Sequence, residues 1–176
     1  MIKNTLLVNI FGGPAIGKSD CARELTNLLS RSGFSCEYVS EFAKPLVWGQ
    51  NFKALSNQVF VTASQFNDLL NVYGQVDFLI TDSPVLTGIA FPGPCCTPAW
   101  ETHVLELHHH FNHVNFVLER NIEHYKPEGR VQNLDGCLAA DILLETFLHQ
   151  HGIKFDRLLP GSSPAQSAFD LLMKKA

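Results

Sequence analysis

The sequence predicts an α/β fold, a five-stranded parallel sheet with helices on both faces. Three observations predict it. Five short apolar runs, at residues 6–11, 35–39, 76–81, 114–118 and 153–159, alternate with segments of helical periodicity. Parallel strands need long crossovers, and the helical segments supply them. The central runs are almost continuously apolar, the pattern of strands covered on both faces. A glycine-rich turn, Gly12-Gly13-Pro14-Ala15-Ile16-Gly17-Lys18-Ser19, joins the first strand directly to the first helix.

In order along the chain, Cys21, Leu25, Leu28 and Leu29 recur at helical spacing after that turn, and Gly33 stands where the helix would stop. The second strand, 35–39, runs into Ser40-Glu41-Phe42-Ala43-Lys44-Pro45. Apolar residues at 55, 59, 66, 69, 70 and 73 predict one long amphipathic helix over 55–73, ended by Gly74. The third strand ends at Asp82-Ser83-Pro84. Residues 88–98 hold three prolines and two glycines and read as a loop. A helix over 98–111 leads to the fourth strand, which ends at Glu119-Arg120. A polar, charged stretch over 121–133 follows. Leu134, Leu138 and Ile142, with Leu144, Phe147 and Leu148, then mark a helix over 134–149. The fifth strand closes on Pro160-Gly161-Ser162. The last helix opens on a capping box, Ser163 with Gln166, with Pro164 at its first position.

The 176 residues suit one domain over 1–176, with 120–133 as a lid. A hydrophobic content of 45% against 17% charged residues describes a soluble globular chain. No apolar run approaches the ~20 residues of a membrane span. Met1-Ile2-Lys3-Asn4 runs straight into the first strand, which predicts no signal peptide and a cytoplasmic location. A net charge of −4 offers no general attraction to nucleic acid, leaving only a local basic groove for that role. The five cysteines, 21, 36, 95, 96 and 137, form no C-x-x-C pair and are odd in number. They predict reduced thiols rather than a disulfide or zinc framework.

The turn carries the chemistry. G-x-x-x-x-G-K-S between a strand and a helix is the context in which this motif means a phosphate-binding P-loop. Its glycines let backbone N–H groups converge on phosphate oxygens, and the helix begun near Lys18 points its positive end at them. The candidate nucleotide-binding set is Gly12, Gly13, Pro14, Ala15, Ile16, Gly17, Lys18 and Ser19, with Asp20 next in line. Lys18 would place a charge near the β- and γ-phosphates, and the Ser19 hydroxyl would be a ligand for Mg²⁺. The sequence therefore predicts binding of a nucleoside triphosphate.

In a parallel α/β sheet the strand ends collect on one edge, where ligands bind. The P-loop, Glu41, Asp82, Arg120 and Gly161 all follow strands, so all are expected there. Asp82 stands where a P-loop protein places the carboxylate that orients Mg²⁺, or else caps the turn before Ser83-Pro84. Arg120, Lys126 and Arg130 supply three cations in eleven residues, either as a solvated face or as a lid closing over phosphates. The two arginines lead because guanidinium groups grip phosphates bidentately. His103, His108, His109, His110 and His113 cluster before the fourth strand. Three adjacent helical histidines point in three directions, and no cysteine or carboxylate set accompanies them, so no native metal site is expected. Trp48 and Phe52 would line an acceptor-base pocket or join the core.

The order of P-loop, substrate-side helices, strand ending in Asp82, arginine lid and final strand-Gly loop resembles the nucleoside and nucleotide kinase group, over nearly the whole chain. That resemblance implies a P-loop NTPase three-layer sandwich with sheet order 2-3-1-4-5, and ATP with Mg²⁺ as cofactors. It assigns Pro160, Gly161 and Ser162 to the base of ATP. Ser40-Glu41-Phe42-Ala43-Lys44 looks like the Glu-x-Ala-Arg stretch of ribosylnicotinamide kinase domains, with Lys for Arg. Arg120-x4-Tyr125-x4-Gly129-Arg130-x-Gln132 looks like the lid of small phage-encoded P-loop kinases. Many deoxynucleoside and monophosphate kinases place Arg beside the aspartate that is Asp82 here; this chain has Ser83-Pro84.

These observations predict an ATP- and Mg²⁺-dependent kinase that transfers the γ-phosphoryl group to a small nucleoside or nucleotide, in the service of nucleotide metabolism. Lys18, Asp82, Arg120 and Arg130 would act in transfer. Glu41 would take the proton of a hydroxyl acceptor, or else would be a surface partner of Lys44. Alternatives are a kinase of a hydroxymethylated pyrimidine in DNA, which needs a basic groove and a flipped base, and a regulatory NTPase without an acceptor. No membrane partner is expected; DNA and a homodimer stay open.

Overall fold

The computed structural model describes residues 2–91, 97–121, 133–160 and 163–175. Strands β1 (Leu6–Phe11), β2 (Cys36–Val39), β3 (Phe78–Thr81), β4 (His113–Leu118) and β5 (Asp156–Leu158) form one sheet in the order β2-β3-β1-β4-β5. Every pairing is parallel, with Val8 opposite both Ile80 and Val114. The helices are α1 (Lys18–Arg31), α2 (Ala43–Trp48), α3 (Phe52–Leu55), α4 (Gln58–Leu70), α5 (Thr87–Ala90), α6 (Pro98–His109), α7 (Leu134–Gln150) and α8 (Pro164–Lys175). The sheet and its order are those expected.

Strand alternation sorts the core into layers. On one face Val8, Ile10, Ile80 and Phe116 meet Ala22, Leu25 and Leu29 of α1 and Ala165, Ala168 and Leu172 of α8. On the other, Phe11 and Val117 meet Leu86, Ile89 and Val104, with Leu144, Phe147 and Leu148 of α7. Leu7 and Leu79 complete that side with Leu69 of α4. Burying one leucine is worth ~1.5–3 kcal/mol. Leu25 and Leu29, both fully buried, therefore fix α1 on the sheet more firmly than helix propensity could. The buried polar pair on this sheet is satisfied: Asn9 donates to Asn115 at 2.9 Å, and Asn115 donates to the Lys154 carbonyl at 2.9 Å.

Several boundaries differ from the sequence expectation. The helix expected over 55–73 is two helices, because the Asn57 side chain accepts from the Phe60 N–H and starts α4 afresh. A separate helix, α2, forms over 43–48 with Pro45 in its first turn, where a missing N–H costs nothing. The stretch 88–98 is not all loop, since α5 runs to Ala90. Strands β3 and β5 are shorter than their apolar runs, because a strand lasts only as long as its neighbour pairs with it. Ile142 is 68% exposed rather than core; Cys137, Leu144, Phe147 and Leu148 make the buried face of α7. Ser163 caps α8 at 3.2 Å, but Gln166 turns to Asp170 instead of closing the box. Cys21, Cys36 and Cys137 are free thiols, while Cys95 and Cys96 lie outside the described residues. Among the described residues no helix is long and apolar enough to cross a membrane.

Candidate active site

The P-loop leaves β1 at Phe11 and turns into α1 through residues of unusual backbone hand, Ala15 at φ 62° and Gly17 at φ 96°. Gly17 is the residue before α1 and carries no side chain, so no side-chain cap occupies the helix N-terminus. The free N–H groups of that first turn stay available to an anion. Lys18 folds back over the loop, and its Nζ donates to the Gly12 and Gly13 carbonyls at 2.9 Å each. Burial pulls the Lys18 ammonium below the usual lysine value, opposed by the carboxylates of Glu41, Asp82 and Asp141. Such a lysine gains from an anionic partner.

Asp82 follows β3 directly and is only 3% exposed. Its Oδ2 accepts from the Ser19 hydroxyl, while its Oδ1 is buried with no hydrogen-bond partner among the described residues. A buried carboxylate oxygen without a donor is costly. A hard divalent cation bound by Ser19 and Asp82 would remove that cost, so the oxygen donors present fit Mg²⁺. The phenol of Tyr38, near the end of β2, interacts with Asp82 and Ser19. Burial, then the charge of Asp82, push its phenol up.

Glu41 stands at the mouth of the same cleft. Its surface is exposed, yet protein surrounds it on the concave side, and that burial raises its carboxyl above the usual range. Lys18 and Lys44 pull it down and Asp82 raises it further. The segment is pinned by Gln65 of α4, whose Oε1 accepts from the Phe42 N–H at 2.8 Å. The cleft is about 640 Å³ and brings together Gly12, Pro14 to Asp20, Glu41, Lys44 and Asp82. Trp48 and Phe52 are not core residues; at 81% and 62% exposure they stand on the surface beyond Lys44.

Arg120 is held below the loop. Its Nε donates to Asp141 Oδ2 at 2.6 Å and its Nη2 to the Pro14 carbonyl at 2.9 Å. Lys126, Arg130, Gly161 and Ser162 lie outside the described residues. Sequence reasoning missed Tyr38, Gln65 and Asp141. Tyr38 carried a faint signal, a polar-tipped residue just before a strand end. Gln65 and Asp141 sit inside helices and carried none.

A five-stranded parallel sheet of this order, with the glycine-rich loop after the central strand and an aspartate after its neighbour, is the P-loop three-layer sandwich fold. Solved structures of that fold match this chain along its length. It is similar to thymidylate kinase from Ehrlichia chaffeensis, with a TM-score of 0.66 at 12% identity over 98% of this chain and 99% of that one. It is also similar to NadR protein in complex with NAD and AMP-PNP (TM-score 0.65, 13% identity) and in complex with NR (0.62, 12%). The chain spans about half the length of the NadR chains, 49% and 50%, and 97% of it is covered in each. No family model matches the sequence, and no curated protein matches it.

Proposed function

We propose that this protein is an ATP- and Mg²⁺-dependent kinase whose acceptor is a hydroxyl of a nucleoside or nucleotide. The observation that carries the proposal is one cleft shared by Lys18, Ser19, Asp82 and Glu41. The loop N–H groups and Lys18 bind the triphosphate and draw off charge as it develops on the γ-phosphoryl oxygens. Ser19 and Asp82 would hold Mg²⁺, which neutralises and orients the phosphates. Glu41 accepts the acceptor's proton as the new O–P bond forms and the bond to the β-phosphate oxygen breaks. A monophosphate acceptor is already ionised and needs cations around it; a carboxylate at the cleft mouth suits a hydroxyl. NAD and AMP-PNP in one NadR structure, and NR in the other, keep nucleoside-like acceptors in view.

A second acceptor reading, a hydroxymethylated base in DNA, is favoured by one surface. Residues 42–67 contain no Asp or Glu in a chain of net charge −4, and they carry Lys44 and Lys53. Val47, Trp48, Phe52 and Phe60 are exposed on the same segment, whose Lys44, Leu55, Gln58 and Val61 line the cleft. Aromatic platforms with neighbouring cations suit unstacked bases.

The test is a labelled-ATP transfer screen against nucleosides, nucleoside monophosphates, ribosylnicotinamide and hydroxymethylated DNA. Label moving to a free nucleoside supports the first reading, and label in polymer the second. A melting temperature unmoved by saturating Mg-ATP would refute both, since a ligand of the folded state must raise it.

A further inference from the structure

Asp141 belongs to α7, in sequence far from the P-loop, yet it touches the loop directly. Its Oδ1 accepts from the Gly13 N–H at 2.8 Å and from Arg120 Nη2 at 3.1 Å, while Oδ2 accepts from Arg120 Nε at 2.6 Å. The same Nη2 donates to the Pro14 carbonyl at 2.9 Å. Two successive P-loop residues are thus held by one ion pair, Gly13 through its N–H and Pro14 through its carbonyl. The Arg120 side chain is 6% exposed and that of Asp141 21%, so the pair is largely shielded from water, and its hydrogen bonds between ionised groups are charge-assisted.

The approach is close enough that any side chain at Gly13 would have to displace the carboxylate. A Cβ on Gly13 would fall 2.1 Å from Asp141 Oδ1 and 3.1 Å from Arg120 Nη2. At Gly13 the absence of a Cβ is what lets the carboxylate approach, whereas at Gly17 the backbone φ favours glycine. Just beyond the clamp, Ala15 adopts a positive φ that a non-glycine residue rarely takes. A backbone in that region persists where its surroundings over-determine it, and the clamp is the adjoining restraint.

We propose that Asp141 is a positioning residue for the phosphate-binding loop: through Gly13 and Arg120 it fixes the loop's first half, so that the N–H groups from Ala15 to Ser19 converge on one anion. This rests on the proposed nucleotide binding. Asp141 touches no substrate and acts through the loop. Arg120 shares the role, because its guanidinium is committed to Asp141 and Pro14.

The experiment is a double-mutant cycle read by Mg-ATP affinity, with amide hydrogen exchange of the loop peptide as a second readout. Asp141→Ala should weaken Mg-ATP on the order of tenfold or more, the scale at which residues supporting a binding group act. It should also speed exchange over 12–19. Asp141→Asn keeps an oxygen for the Gly13 N–H but loses the charge, and should fall between. Gly13→Ala alone should be as damaging as Asp141→Ala, because its methyl must displace the carboxylate. Added to Asp141→Ala, it should cost little more. Losses that simply multiply, or an Asp141→Ala protein with wild-type affinity and loop exchange, would overturn the proposal. A wild-type chain that binds no Mg-ATP would refute the nucleotide reading instead, and loop exchange in the variants would still decide the role of Asp141.

Discussion

At the scale of single residues, the cleft opposes one raised carboxylate and one lowered ammonium. Burial is the largest cause in both, because it disfavours the charged form of each group. Lys18→Ala should cut turnover on the order of a hundredfold or more, as when one electrostatic stabiliser is lost from a transition state. Steady-state ATP consumption with the best acceptor measures it, and full activity would end the P-loop mechanism. Glu41→Gln should lower turnover ~10²–10⁴-fold while Mg-ATP still binds. A general base works only when ionised, so activity should rise with pH through a midpoint above the ordinary 4.5 of a glutamate. That limb should vanish from the residual activity of Glu41→Gln; an unchanged pH profile would remove Glu41 from the reaction. The stability sign is the reverse. A folded-state pKa raised above the unfolded one adds stability at acid pH, and that stability is lost as pH rises through the folded value.

At the scale of elements, caps decided where the sequence pattern alone misled. Leu55, Val59, Phe66, Leu69 and Tyr73 carry enough helical spacing to suggest one helix, and periodicity cannot see a break in phase. The break comes from polar residues: Asn51 accepts from the Ala54 N–H to start α3, and Asn57 accepts from the Phe60 N–H to start α4. The division matters because α4 carries Gln65, which holds Phe42 and so sets the position of Glu41. Asn57→Ala should cost about 1 kcal/mol, and Asn57→Asp much less. Chemical denaturation of the two variants checks this. Equal stability of Asn57→Ala and wild type would mean that the cap does not hold the break. Asn133 and Thr97 cap α7 and α6 in the same way, and there the expected and observed starts agree within a residue.

At the scale of the whole molecule, one histidine of the cluster, His108, is part of the packing. His108 is 1% exposed, its ring lies 3.9 Å from that of His113, and its Nε2 has no hydrogen-bond partner among the described residues. Burial, with His113 and His109 facing it, pushes its pKa down to about 3. The folded chain therefore binds this proton less readily than the unfolded chain, whose imidazole titrates near 6.5. Its neutral form supports stability above that value, and the support is lost as pH falls from there toward about 3. One such proton gives a slope of about 1.4 kcal/mol per pH unit. Unfolding free energies across that window should fall steeply for the wild type and less steeply for His108→Phe. Parallel curves would show that His108 does not carry the acid sensitivity. Glu41 titrates with the opposite sign and cancels in the comparison of the two proteins.

By itself the sequence determined the strands, the glycine-rich loop and the sheet-edge position of Glu41, Asp82 and Arg120. Each of these is a local pattern, written in two-residue or four-residue periods or in a glycine-rich turn, and local patterns need no knowledge of a partner. Tertiary structure decided the rest. Gly13 and Asp141 stand 128 residues apart, Asn9 and Asn115 stand 106 apart, and no local rule joins them. Strand ends, the exposure of Ile142 and the burial of His108 depend on which neighbour arrives to cover them. Asp141 lies on the same helix as Glu145, which pairs with Arg157 instead. Its role at the P-loop exists only because the parallel sheet brings the start of α1 and the middle of α7 to the same edge.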